Sequence, residues 1–365
     1  MKVILTGGGT GGHIYPAIAI GNKIKEKMPN AEFLYLGFER GLEATIVPNN
    51  GYDIKFVKSR WVVRGSIIGL IKTGYVVMQG KRESLKIMKE FKPDIVIGTG
   101  GYVSFPVILA GHKYGSKIYI HEQNAYPGMA NQKLSKYVDK IFLGFDAARK
   151  YFSNIMDEKI IYSGNPVRET FYGITKESAR ETLNIAKDDF VIFSFGGSQG
   201  AKAINETMIE IIKKFGEMDK IKLIFGTGAM YYDGIVEKFE ETDKVTIKDY
   251  IEDMPNYLGA SDLIIGRAGA LSLAEITICG RASILIPSPN VTGNHQYFNA
   301  KSVADKGGAI IVNEDENMID NVISIIGDLI EDKDKLDKME KGSINAAMPS
   351  ATDIIFKEIF SGEKI

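Results

Sequence analysis

The residues best suited to chemistry fall in four stretches rich in glycine or amide side chains. The first is Gly7-Gly8-Gly9-Thr10-Gly11-Gly12-His13, followed by Ile14-Tyr15-Pro16. Glycines let backbone N–H groups close on an anion or a sugar, and the helix start that follows adds positive potential. Pro16 suits a first helical turn, where a missing N–H costs nothing. Gly7, Gly9 and Gly12 also satisfy the G-x-G-x-x-G spacing, and Glu39 follows the next apolar run about where a dinucleotide-binding protein holds a ribose. A tight strand-to-helix turn without a ligand is the plainer alternative. The second stretch, Gly196-Gly197-Ser198-Gln199-Gly200-Ala201, also follows an apolar run and opens a helical pattern. Ser198 can offer its hydroxyl to a phosphate that the backbone N–H groups already face. Two such loops exceed what a simple dehydrogenase needs.

The third stretch runs from Gly266 to Glu275 and puts Glu275 inside an otherwise apolar helix. A carboxylate there needs a partner; a ribose diol or a nearby Arg or Lys would serve. The fourth, Pro287 to Asn299, is a long polar loop whose His295, Gln296 and Asn299 share one helical face. Amide side chains suit sugar hydroxyls, having both donor and acceptor atoms. Capping of the following helix would use the same residues.

The elements that must position these loops alternate. Val3–Leu5, Phe33–Leu36, Ile95–Ile97, Ile118–Ile120 and Ile141–Leu143 form short apolar runs, most followed by glycine and a helical pattern. Val191–Phe195, Lys222–Phe225, Val245–Ile247, Leu263–Ile265 and Ser283–Ile286 repeat the arrangement. Such alternation predicts parallel sheets covered by helices. The halves echo each other: Asp94-Ile95-Val96-Ile97-Gly98 matches Asp262-Leu263-Ile264-Ile265-Gly266. The expectation is an α/β protein of two Rossmann-like domains facing a cleft. The turn signal Ser163-Gly164-Asn165-Pro166 places the division at 1–164 and 165–346, with a last helix within 347–365 returning to the first domain.

The chain has 365 residues, 44% of them hydrophobic and 25% charged, the balance of a globular protein with two ordinary domains. A net charge of −1 argues against a nucleic-acid partner. Cys279 is the only cysteine, so neither an intrachain disulfide nor a cysteine metal cluster can form, which fits a reducing cytoplasm. The opening apolar run is too short for a signal-peptide core, and no stretch is long enough to span a bilayer.

The strings GGGTGGHIYPA, GTGGYVSFP, HEQNAYPGMAN, GNPVRE, FGGSQGA, GRAGALSLAE and NHQYFNA stand in this order from Gly7 to Asn299. In that order they resemble the MurG glycosyltransferases. The resemblance implies the GT-B arrangement and inverting transfer of N-acetylglucosamine from UDP-N-acetylglucosamine to lipid I, undecaprenyl-diphospho-muramoyl pentapeptide, giving lipid II. It implies that Ile251 lies against the uracil, Glu275 holds the ribose, and Ser198 with the following helix N-terminus binds the diphosphate. It sets Arg168 and Arg267 near the donor, adds backbone contacts from Ala270 and Leu271, and brings Gln296 and Asn299 to the sugar. His295 stands where many relatives have glutamine. Thr10, Gly11, Gly12, His13, Tyr102 and Asn124 are implied on the acceptor side.

Inverting transfer needs a base for the acceptor 4-hydroxyl. His13 is the first candidate, because imidazole titrates near neutrality; holding the glycine loop in place is its alternative role. Glu122 is the second. A helix N-terminus with Ser198 can stabilise the departing diphosphate, so no obligatory metal or other cofactor is expected. Residues 59–88 mix apolar side chains with Arg60, Arg64, Lys72, Lys81 and Arg82. Trp61, Val62, Val63, Ile67 and Ile68 are expected to form an apolar patch on an anionic membrane. An ordinary helix with a core-facing side accounts for much of 67–78. The family implies a peripheral place on the cytoplasmic face of the cell membrane and cell-wall synthesis or divisome partners. The rival functions are a UDP-sugar 2-epimerase on the same fold, a transferase acting on a diacylglycerol, an NAD-dependent oxidoreductase and a non-catalytic UDP-sugar-binding subunit.

Overall fold

A computed structural model describes residues 1–60, 67–197 and 199–361, with the backbone alone at Ile67. The expectations for Trp61, Val62, Val63, Ser198 and the Ile67 side chain lie outside the described residues.

The chain forms two compact units, Met1–Arg168 with Ser350–Ile365, and Glu169–Pro349. The first holds β1 (Lys2–Thr6), β2 (Glu32–Gly37), β3 (Ile54–Phe56), β4 (Ile95–Gly98), β5 (Lys117–Glu122), β6 (Lys140–Leu143) and β7 (Ile160–Tyr162), ordered β3-β2-β1-β4-β5-β6-β7. The second holds β8 (Phe190–Phe195), β9 (Ile221–Gly226), β10 (Val245–Lys248), β11 (Leu263–Gly266), β12 (Ala282–Leu285) and β13 (Ala309–Ile311), ordered β10-β9-β8-β11-β12-β13. Neighbouring strands pair in parallel, as at Val3 with Phe33 and Ile95 or Ile192 with Leu223 and Leu263. These are two Rossmann-like α/β sheets.

The strands are apolar throughout because both sheet faces are covered. In unit 1, Val3, Leu5, Tyr35, Ile95, Ile97, Tyr119 and Phe142 face a core that includes Ile14, Ile18, Ile355 and Ile359. Their alternating neighbours Ile4, Leu34, Leu36, Val96, Ile118, Ile120 and Ile141 face another core with Met88, Val107 and Ile108. The helices Gly11–Lys27 and Ala351–Phe360 therefore cover one face, and Ser104–Tyr114 the other. In unit 2, helices Lys202–Phe215 and Met318–Glu331 cover β8, β9 and β11 through Ile204, Met208, Ile211, Val322 and Ile326.

All ten apolar runs singled out in the sequence are strands. The additional β3, β7 and β13 lie at sheet edges, each of three residues. Pro16 is a correction. The helix begins at Gly11, so Pro16 stands beyond the first turn. Its missing N–H leaves the Gly12 carbonyl without the usual donor.

Candidate active site

In unit 1, connections leave β1 towards β2 and leave β4 towards β5, so the order reverses between β1 and β4. Ligands of open α/β sheets bind beyond the carboxyl ends of the strands at such a reversal. The glycine loop follows β1, Thr99 to Tyr102 follow β4, and Glu122 to Asn124 end β5. Close backbone approach explains the glycines. A Cβ on Gly7 would lie 2.1 Å from Thr99 Oγ1, and one on Gly101 would lie 2.2 Å from the Gly8 carbonyl oxygen. Gly9 has φ +89°, and the Tyr102 ring stands 3.1 Å from the position of its missing Cβ.

A buried carboxylate holds this loop. Glu43 Oε2 accepts the Gly9 N–H at 3.1 Å, and Oε1 accepts that of Phe38 at 3.0 Å. Glu43 is fully buried, whereas Glu39, at the position a dinucleotide-binding protein would use for a ribose, is exposed on the surface. Tyr35 donates its hydroxyl to the Gly7 carbonyl at 2.6 Å. Burial, and then the Glu43 charge, raise the Tyr102 phenol above its ordinary pKa.

His13 sits in the first turn of the helix Gly11–Lys27, half-buried. Its Nδ1 is 3.1 Å from the Thr99 carbonyl oxygen and 3.1 Å from Gln123 Oε1. Both partners are acceptors, so Nδ1 carries the proton and Nε2 is left as the basic nitrogen. Glu122 is 1% exposed, and its oxygens accept from Asn124 N at 2.9 Å, Asn124 Nδ2 at 3.3 Å, Gly128 N at 3.0 Å and Asn131 Nδ2 at 2.9 Å. Those bonds pin the turn after β5 and leave Glu122 poorly placed to take a substrate proton. Thr10 and Gly12 are exposed beside His13, Gly11 and Asn124 half-buried, and the Arg168 guanidinium lies 5.5 Å from the Tyr15 ring centre.

Unit 2 reverses strand order between β8 and β11. Gly197 and Gly200, at φ +89° and +75°, shape the loop after β8. A Cβ on Gly200 would lie 2.2 Å from the Thr227 carbonyl oxygen, which Asn205 Nδ2 holds at 2.9 Å. The following helix, Lys202–Phe215, starts with no side-chain cap. So does the helix Ala270–Ile278 after β11, whose N-cap is Gly269. First-turn N–H groups of an uncapped helix are donors without intrahelical partners. They belong to residues such as Ala270 and Leu271. Glu275 lies half-buried on that helix, and Ile251 is buried against Gly226.

Several polar residues of unit 2 serve the fold. Arg267 Nη1 donates to Glu314 Oε2 at 2.5 Å and to the Ile286 carbonyl at 3.1 Å. Asn299 is fully buried and donates to the Ala268 carbonyl at 3.1 Å. Gln296 Oε1 accepts Ser288 N–H at 2.9 Å, and His295 Nδ1 lies 3.0 Å from the Thr292 carbonyl. His295 thereby closes the turn before its own helix. An Asp-x-Asp string, Asp332-Lys333-Asp334, caps a helix through Asp332, which accepts Lys335 N–H at 2.9 Å.

The helix Ile67–Phe91 leaves Ile68, Leu70, Ile71, Tyr75 and Met78 exposed. Sequence reading assigned much of 67–78 to a core-facing side, but Thr73 is buried there while Ile71 is 68% exposed. Among the described residues, no helix is long and apolar enough to cross a membrane.

Two family models match: the glycosyltransferase family 28 N-terminal domain over residues 3–143, and its C-terminal domain over 191–355. The chain is 41% identical over 361 residues to UDP-N-acetylglucosamine--N-acetylmuramyl-(pentapeptide) pyrophosphoryl-undecaprenol N-acetylglucosamine transferase of Acetivibrio thermocellus, covering 98% of this chain and 97% of that relative. The chain belongs to the MurG-type glycosyltransferases of family 28. A Clostridioides difficile protein of the same name is 41% identical, with 98% of this chain and 88% of that one covered. Acinetobacter baumannii MurG superposes with a TM-score of 0.76 at 26% identity, covering 99% of each chain. The UDP-GlcNAc 2-epimerase of Neisseria meningitidis, solved with UDP-GlcNAc, gives 0.70 at 14% identity, covering 99% of this chain and all of its own. The latter likeness is one of fold alone. The GT-B assignment thus agrees with both sheets.

Proposed function

We propose that this protein transfers N-acetylglucosamine from UDP-N-acetylglucosamine to the C4 hydroxyl of the N-acetylmuramoyl unit of lipid I, with inversion, giving lipid II. The observation that carries the reading is the near-full-length similarity to transferases of that name, together with a histidine whose Nδ1 faces two acceptor oxygens. An epimerase would share the fold but needs no lipid acceptor.

In this reading unit 2 takes the donor. Glu275 accepts the ribose hydroxyls, Ile251 meets the uracil, and Gln296 meets the sugar. Asn299 and Arg267 act by holding the loops after β11 and β12. The departing UDP develops charge on its diphosphate. The uncapped starts of Lys202–Phe215 and Ala270–Ile278 offer fixed donors to it, and the Ser198 hydroxyl is the side-chain donor proposed beside them. Unit 1 takes the acceptor through Thr10, Tyr102 and Asn124. His13 Nε2 accepts the 4-hydroxyl proton as oxygen attacks the anomeric carbon, and Thr99 and Gln123 face the imidazolium that results. Arg168 adds positive charge beside Tyr15.

The exposed apolar side chains of Ile67–Phe91, with exposed Lys72 and Arg82, support peripheral attachment to an anionic membrane. Trp61 to Val63 belong to the same proposed patch, where cell-wall synthesis proteins would also be met. The deciding experiment incubates purified protein with radiolabelled UDP-N-acetylglucosamine and a lipid I analogue. Label in the lipid supports the transfer. UDP binding with no labelled lipid overturns it, and free-sugar analysis then separates an epimerase from a silent binding subunit.

A further inference from the structure

Behind His13 lies a chain of buried polar groups with a single consistent direction. His121 Nε2 is 3.0 Å from the Gly164 carbonyl oxygen, which can only accept, so Nε2 holds the His121 proton. His121 Nδ1 must then accept, and Gln123 Nε2 donates to it at 3.0 Å and to the His121 carbonyl at 3.2 Å. That fixes the Gln123 amide with its NH2 towards His121 and its oxygen towards His13, 3.1 Å from Nδ1. The backbone is held as tightly: Asn165 Nδ2 donates to the Gln123 carbonyl at 3.0 Å, and Asn131 Nδ2 to that of His121 at 3.1 Å. Gln123 is 2% exposed and His121 fully buried, so water does not compete for these bonds.

We infer that Gln123, oriented by His121, is a positioning residue that holds neutral His13 in its Nδ1–H tautomer and stabilises the imidazolium formed when His13 takes the acceptor proton. The inference rests on the proposed role of His13 as base. Thr99 supplies one acceptor to Nδ1–H, and Gln123 the second. A flipped amide would set two donors against each other, and neutral His121 prevents the flip. Burial pushes His121 down to about 4, so it stays neutral where the enzyme works.

The test uses the full chain carrying Gln123→Met, similar in length and without an acceptor oxygen. A hydrogen bond to a charged group is worth roughly a tenfold factor or more in rate. The kcat is expected to fall by about that factor while UDP affinity is unchanged. With less stabilisation the imidazolium loses its proton more readily. The acidic limb of the pH profile should therefore move about one unit lower. Should that variant not fold, His121→Phe frees the Gln123 amide and is expected to shift the limb in the same direction by less. His13→Ala separates the two readings. If it keeps near-normal turnover, the base assignment fails. If it loses turnover while Gln123→Met keeps both kcat and the acidic limb, the base stands and the relay is overturned.

Discussion

The carboxylate of Glu43 reaches across 34 positions of sequence to accept the Gly9 N–H at 3.1 Å. Gly9 is in the left-handed region at φ +89°, with its N–H turned into the protein rather than towards a ligand. The loop therefore does not present every amide to a substrate. One is committed to holding its shape, and the same carboxylate holds the end of β2 through Phe38.

Replacing Glu43 with alanine leaves two inward N–H groups without acceptors. Each unsatisfied group costs about 1–3 kcal/mol. Glu43→Ala should make the Gly9 and Phe38 amides exchange hydrogen much faster than in the parent protein and reduce turnover. Unchanged protection at both amides would show that the loop holds itself.

Gly200→Ala should weaken UDP binding. The residue sits at φ +75°, and a Cβ there would meet the Thr227 carbonyl oxygen at 2.2 Å. The left-handed backbone adds about 1–2 kcal/mol for alanine, and relief requires the loop after β8 to move. Calorimetric titration with UDP checks this; parent-like affinity would separate the loop from the diphosphate.

His121 makes stability depend on pH. Its folded pKa of about 4 lies below the ordinary 6.5, so the unfolded chain binds the proton first as pH falls. The contribution is full above pH 6.5 and is lost down to about pH 4. The loss amounts to about 3 kcal/mol at 1.36 kcal/mol per unit. Denaturant titrations across this window should be flatter for His121→Phe than for the parent. Parallel curves would mean that other groups govern the acid limb.

Ile68→Ser combined with Ile71→Ser and Tyr75→Ser should weaken sedimentation with anionic vesicles and leave UDP affinity intact. These side chains are 68%, 68% and 64% exposed, so their removal leaves the core alone. Equal binding by parent and variant would move the membrane contact elsewhere.

The long central strands were legible because continuous apolar runs admit few alternatives in a sheet covered on both faces. β3, with exposed Lys55 and Phe56, offers no such run. The glycine loops were legible too, since their spacing encodes backbone approach. What the sequence hid was long-range pairing. Glu43 stands at the start of a short helix beside Gly41, with nothing local to say that it serves Gly9 rather than a ribose. Gln123 stood unremarked between Glu122 and Asn124, because its value lies in which way an amide faces, a property of three dimensions. Asn299 and Arg267 carry a sugar-binding or phosphate-binding appearance, yet both spend hydrogen bonds on backbone carbonyls. The exposed side of Ile67–Phe91 resembled a core-facing stripe, since apolar periodicity does not say whether protein or lipid covers it.

The helix Ala351–Phe360 belongs to the core of unit 1, where Ile355, Ile359 and Phe360 pack with Val3 and Leu5, Tyr119 donates to the Ile359 carbonyl at 3.2 Å, and Lys140 pairs with Glu358 at 2.6 Å. During synthesis the sheet at the amino end must consequently wait, one face incomplete, until the whole of Glu169–Pro349 has left the ribosome. The nascent chain carries a half-built apolar layer while about half of its length is made, which makes late truncation a lesion of the first unit rather than of the second.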